Sequence, residues 1–105
     1  LKGYFMYISL FKENSSLRKV VEKAVDIYNK TRSPEAMAKI IEIDEHDHIV
    51  KIEFTGYFCF TCGVRDWVED LVYIIEQLGH RALLIEYVEP DNDVNKRIGI
   101  FKVNI

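Results

Sequence analysis

Hydrophobic positions along the chain change their spacing several times, and each change predicts an element. Residues 4–11, YFMYISLF, are apolar on both alternations, the pattern of a strand covered on both faces. ENSS follows and supplies a turn with a helix N-cap at Ser15 or Ser16. Leu17, Val20, Val21, Ala24, Val25 and Tyr28 then recur at helical spacing. Arg18, Lys19, Glu22, Lys23 and Asp26 take the opposite side. Residues 34–44 support two readings. Ser33-Pro34-Glu35 resembles a capped helix start, whereas DEHD and the alternating HIVKIEF after it favour a hairpin. The hairpin is preferred, with strands near 36–44 and 48–57. Val50, Ile52 and Phe54 then face one way, and Lys51, Glu53 and Thr55 the other. A second helix follows from Val64, Trp67, Val68, Leu71, Ile74, Ile75 and Leu78, with Asp66 in its first turn and Gly79 as its stop. RALLIEYVE and RIGIFKVNI close the chain as two strands around the turn-rich PDNDVNK.

The order is strand, helix, strand, strand, helix, strand, strand. Its first six elements match a ferredoxin-like βαββαβ plait, an α+β fold with two helices on one face of an antiparallel sheet. The seventh adds a C-terminal strand as a hairpin. The match is one of element order, and no sequence family is identified. No internal repeat, low-complexity tract or Pro/Gly-rich linker interrupts residues 1–105, so one α+β domain is expected.

The 105 residues suffice to bury roughly 65% of the surface an unfolded chain exposes, and 49% are hydrophobic and 30% charged. No apolar run approaches the ~20 residues that cross a bilayer, so no membrane role is expected. The net charge of −3 argues against broad nucleic-acid binding, which depends on neutralising phosphates. Only two cysteines occur, too few for a disulfide scaffold, and a cytoplasmic location follows as the default. Abundant Ile, Val, Tyr, Glu and Lys beside one Gln fit a thermophilic source. A chain beginning at Leu1 rather than Met is compatible with a natural start further upstream.

Those cysteines, Cys59 and Cys62 in GYFCFTCG, are the main candidates for chemistry. With Thr61, Cys62 or Gly63 as N-cap, both sulfurs fall at the head of the second helix. Unpaired N–H groups and the helix dipole stabilise a thiolate there. A thiol–disulfide protein would use Cys59 as the attacking sulfur and Cys62 as the resolving one, with Arg65 adding positive potential. Against this, the pair follows the third strand of a plait rather than the first strand of a βαβ unit. A zinc site needs four ligands and the pair supplies two, so zinc would have to be shared between two chains. His46 and His48, in the hairpin turn, lie roughly 30 Å from the cysteines along the strand, and His80 about 24 Å away along the helix. Both cysteines also suit a plain packing role.

Other motifs are incomplete. Asp91 to Asn95 opens like a calcium loop, but Lys96 and Lys102 stand where Gly and Glu belong. KGYFMY departs from the RNA-binding aromatic signature after its tyrosine. Phosphate loops, nucleophile elbows and zinc-protease helices are not found, and Asp66, Glu69, Asp70 and Glu76 read as solvated charges. The remaining clue is the sheet face turned away from the helices, apolar or aromatic on the first strand (Phe5, Tyr7 and Phe11, or Tyr4, Met6, Ile8 and Leu10). The leading expectation is a non-enzymatic binding, regulatory or assembly module that forms a homodimer through its sheet, with no cofactor. The dithiol reading is its rival.

Overall fold

A computed structural model describes residues 16–56, 64–91, 93 and 95–105. The elements are α1 (Ser16–Arg32), β1 (Met37–Asp44), β2 (Ile49–Thr55), α2 (Val64–Gln77), β3 (Arg81–Val88) and β4 (Lys96–Asn104). They form a four-stranded antiparallel sheet in the order β1-β2-β4-β3. The chain is therefore α+β, and the hairpin reading of residues 34–44 holds. The expected strand at residues 4–11 lies outside the described residues. In a plait the N-terminal strand runs through the middle of the sheet. Here β4, the C-terminal strand, pairs with β2 and holds that place.

Both helices cover the same sheet face, because every buried strand position belongs to one alternation. Leu17, Val21, Ala24, Val25 and Tyr28 of α1 meet Val68, Leu71, Ile74 and Ile75 of α2. Beneath them lie Ala38 of β1, Val50, Ile52 and Phe54 of β2, and Phe101 and Val103 of β4. Tyr28, Phe54 and Phe101 stack edge-to-face, with centroids 5.4 and 6.2 Å apart. The buried Tyr28 hydroxyl donates to the Trp67 carbonyl at 2.7 Å and joins the two helices. Among the described residues, no helix is long and apolar enough to cross a membrane.

Helix ends follow local chemistry. Lys30 and Arg32 close α1, where the dipole favours cations. At the end of α2 the His80 N–H reaches the Ile75 carbonyl and the Gly79 N–H that of Glu76, a Schellman cap with Gly79 at φ 93°.

The two αββ halves share one backbone plan, an internal relationship not visible in the sequence. Ile40 faces Ile52 in the first half, as Leu84 faces Phe101 in the second. Each edge strand shifts register at the next residue, between Ile40 and Glu42 and between Leu84 and Glu86. Where the halves meet, Val50 faces Phe101, Lys51 faces Ile100 and Ile52 faces Gly99, pairings that map onto themselves when the halves are exchanged.

Candidate functional site

β2 ends at Thr55 and α2 begins at Val64, so the described elements on either side of the cysteine pair are a strand and a helix. Cys59 and Cys62 themselves lie outside the described residues. Gly56, the last described residue before them, has φ 129°, and a Cβ there would collide with the Glu35 carbonyl. Only glycine suits this backbone.

At this end of the molecule a cleft of about 360 Å³ is lined by Thr31, Arg32, Asp66, Trp67 and Asp70. The Arg32 guanidinium lies 3.1 Å from an Asp70 carboxylate oxygen and 5.0 Å above the Tyr28 ring, and donates to the Thr31 hydroxyl at 2.6 Å. Arg65, expected to lend positive potential to the cysteines, instead binds Glu69 at 2.7 Å and lies 5.6 Å from the Tyr87 ring centroid. Both arginines near the head of α2 are thus matched by carboxylates, and Asp66 adds a further negative charge.

The histidines gather at the other end. His46 and His48 occupy the β1–β2 turn, which Asp44 organises by accepting hydrogen bonds from the N–H groups of His46 and Asp47. His48 adopts φ 58° and its carbonyl accepts from the Val103 N–H. His80 enters β3 at the same end, because Arg81 faces Asn104. The seven residues of β2 put about 23 Å between that end and Gly56. Among the described residues, no cluster of three or more His, Cys, Asp and Glu side chains is placed to hold a metal ion. Asp93 spends its carboxylate on a local turn, accepting from the Asn95 N–H at 2.9 Å and lying 4.0 Å from the Lys96 amine.

The sheet face opposite the helices is the more informative surface. Register places Met37, Lys39, Glu42, Lys51, Glu53, Ile98, Ile100, Lys102, Leu83, Glu86 and Val88 on it. Both halves mix charged and apolar residues, with more apolar positions on the β3–β4 side. The β1–β2 half carries Lys39, Glu42, Lys51 and Glu53 beside Met37 and Ile49, whereas the β3–β4 half carries Leu83, Val88, Ile98 and Ile100 beside Glu86 and Lys102. Leu83 is 64% exposed, and Ile85, at the bulge beside it, is 49% exposed. Lys39 occupies in β1 the place Leu83 takes in β3, and Lys51 faces Ile100 across the centre. The sequence pointed to this face through its first strand. Its apolar centre, however, comes from β3 and β4.

One described group titrates away from its ordinary range. The Tyr87 hydroxyl is pushed above 10.0, first by burial and then by its hydrogen bond to, and the charge of, Glu89, while Arg97 opposes the shift. Its O–H donates to Glu89 at 2.8 Å.

Comparison of the chain with protein-family models, with curated proteins and with solved structures finds no match.

Proposed function

We propose that this chain is a binding and assembly module that pairs with a second copy of itself through the open face of its sheet. The supporting observation is the apolar patch within the β3–β4 half of that face, flanked by Glu86 and Lys102. Leu83 and Ile85 lie open to water there, beside Ile98, Ile100 and Val88. A fold of this kind needs one apolar sheet face, and the helices already cover it. A second apolar surface therefore needs another reason.

A copy of the same chain suits the charges better than a highly charged partner. Lys51 and Lys102 alternate with Glu53 and Glu86, and across a two-fold axis each sign can meet its opposite. Four strands at ~4.8 Å and seven residues at ~3.3 Å give a footprint of roughly 440 Å² per chain. This is small for a permanent dimer, so association is concentration-dependent. Sedimentation velocity from about 1 µM to about 1 mM tests the reading. A sedimentation coefficient rising with concentration supports it, and a strict monomer at the upper limit refutes it.

The thiol–disulfide reading is second. Its support is the strand before residue 57 and the helix after residue 63, the local order a reactive C-x-x-C uses. The engagement of Arg32 and Arg65 by carboxylates weighs against it, since neither brings an unmatched positive charge. Native thiol titration separates the readings: two fast thiols with depressed pKa favour redox chemistry, and two inert thiols leave the assembly module.

A further inference from the structure

The backbone groups on the two outer edges of the sheet are treated differently. On β1, the Asn29 side chain accepts from the Ala38 N–H at 2.7 Å and donates to the Ala38 carbonyl at 3.0 Å. One carboxamide closes both groups that this residue turns away from β2. An edge residue left without such a cap offers a donor and an acceptor side by side.

The other half repeats the arrangement without the cap. Ala82 of β3 faces Val103 as Ala38 faces Phe54. The Val103 N–H goes to the His48 carbonyl, on the β2 side of β4. Residues directly opposite in an antiparallel pair either exchange both bonds or both turn away from each other. Val103 turns towards β2, so the Ala82 N–H and carbonyl point outward from the sheet. The helix position matching Asn29 is Glu76, just after buried Ile75 as Asn29 follows buried Tyr28. A carboxylate has no N–H to give a carbonyl, so Glu76 cannot close the pair as Asn29 does.

A cleft of about 370 Å³ opens at this place, with Ala82 and Glu76 both on its walls. Its other charged walls are Arg65 and Glu69, which hold each other at 2.7 Å, so the net wall charge is that of Glu76. Val72, Leu84 and Tyr73 supply apolar surface, and Tyr73 is 58% exposed. The volume lies near the lower end of the roughly 300–1,000 Å³ of small-molecule pockets, which suits a single ring.

We propose that this cleft binds a small ligand carrying a primary carboxamide on a flat apolar body, its amide seated on Ala82 as the Asn29 side chain is seated on Ala38. The wall chemistry selects this class. A carboxylate ligand is repelled by Glu76 and has no donor for the Ala82 carbonyl. An ammonium ion has no acceptor for the Ala82 N–H. A primary carboxamide presents both on one edge and keeps a second N–H for the Glu76 carboxylate. Val72, Leu84 and the Tyr73 ring cover the flat body.

Nuclear magnetic resonance on the full chain, at a concentration where sedimentation shows a monomer, reads the site through the Ala82 amide, with benzamide as the probe. Expected is a saturable shift of the Ala82 N–H and of the Val72 and Tyr73 side chains, with none at Ala38, whose pair is already closed. N,N-Dimethylbenzamide keeps the ring and loses both N–H donors, and should bind at least about tenfold more weakly. Glu76→Asn puts a carboxamide at the exposed position matching Asn29, so it should cap Ala82 from within and weaken benzamide at least about tenfold. No shift at Ala82, equal affinity for the dimethyl derivative, or undiminished binding by Glu76→Asn overturns the proposal. So does tighter binding of N-acetylglutamine methylamide than of benzamide, because the carboxamide would then belong to a partner's side chain. The chain is monomeric in this test, so the result is independent of whether a second copy covers the open face.

Discussion

Leu83→Ala tests the assembly reading at the residue that contributes most to it. Leu83 is 64% exposed, so about a third of its side chain is buried within one chain. Three carbons are removed, each worth about 0.8 kcal/mol when fully buried. Folding of the isolated chain should therefore lose roughly 0.9 kcal/mol. If a second copy covers the exposed part, association loses about 1.5 kcal/mol per chain and about 3 kcal/mol per two-fold dimer. At ~1.4 kcal/mol per decade, the dissociation constant should rise by roughly 150-fold. Sedimentation at matched concentrations reads the change, and urea denaturation of dilute samples reads the smaller monomer term. Lys39→Ala is the control, since Lys39 holds the matching place on the β1 half. An unchanged dissociation constant for Leu83→Ala refutes the reasoning. A large drop in monomer stability, with association unaffected, refutes the placement of Leu83 on a free face.

Further outcomes concern the frame that carries these surfaces. Asn29→Ala removes both side-chain bonds to Ala38 and should cost about 1–2 kcal/mol in urea unfolding. Asn29→Asp should recover part of that loss, because it still accepts from the Ala38 N–H. Equal losses for the two variants would contradict a bidentate cap. Gly56→Ala forces a side chain into φ 129° against the Glu35 carbonyl and should cost at least about 2 kcal/mol, lowering the thermal midpoint by roughly 8 °C or more. An unchanged midpoint would show that the backbone there relaxes freely. Tyr87 holds its proton more tightly folded than unfolded, so its contribution is complete below about pH 10 and is lost as pH rises past 10 through the folded value. Melting at pH ~9 and ~11 should show a smaller alkaline loss in Tyr87→Phe than in the parent, and equal losses would exclude Tyr87 as the source.

Local periodicity made most elements legible. The stripe from Leu17 to Tyr28 gave α1, the stripe from Val64 to Leu78 gave α2, and the alternation of Val50, Ile52 and Phe54 gave β2. Even within the ambiguous residues 34–44, Met37–Asp44 resolves as strand once β2 is there to pair with it. What local pattern could not supply is which strands become neighbours. The pairing of β2 with β4 joins Ile49 to Lys102 across α2 and β3, and no spacing rule encodes so distant a contact. The Asn29 cap was also hidden, since an asparagine near a helix end reads as an ordinary stop signal. Arg65 looked available because its partners, Glu69 one turn on and Tyr87 on β3, become its partners only in the folded chain.

The shared αββ plan escaped notice because the halves agree in burial more than in identity. Ile40-Ile41-Glu42 and Leu84-Ile85-Glu86 do echo each other at the two bulges, but the neighbouring positions have diverged. Where they diverged is informative. The matched backbone positions make equal demands on folding, so a chemical difference between them is not required by the architecture. Lys39 against Leu83 is such a difference, and it leaves the β3 side more apolar at that place. Leu83 in the place of Lys39 puts an exposed apolar side chain on the β3 side of the open face, the side on which the proposed pairing with a second copy rests.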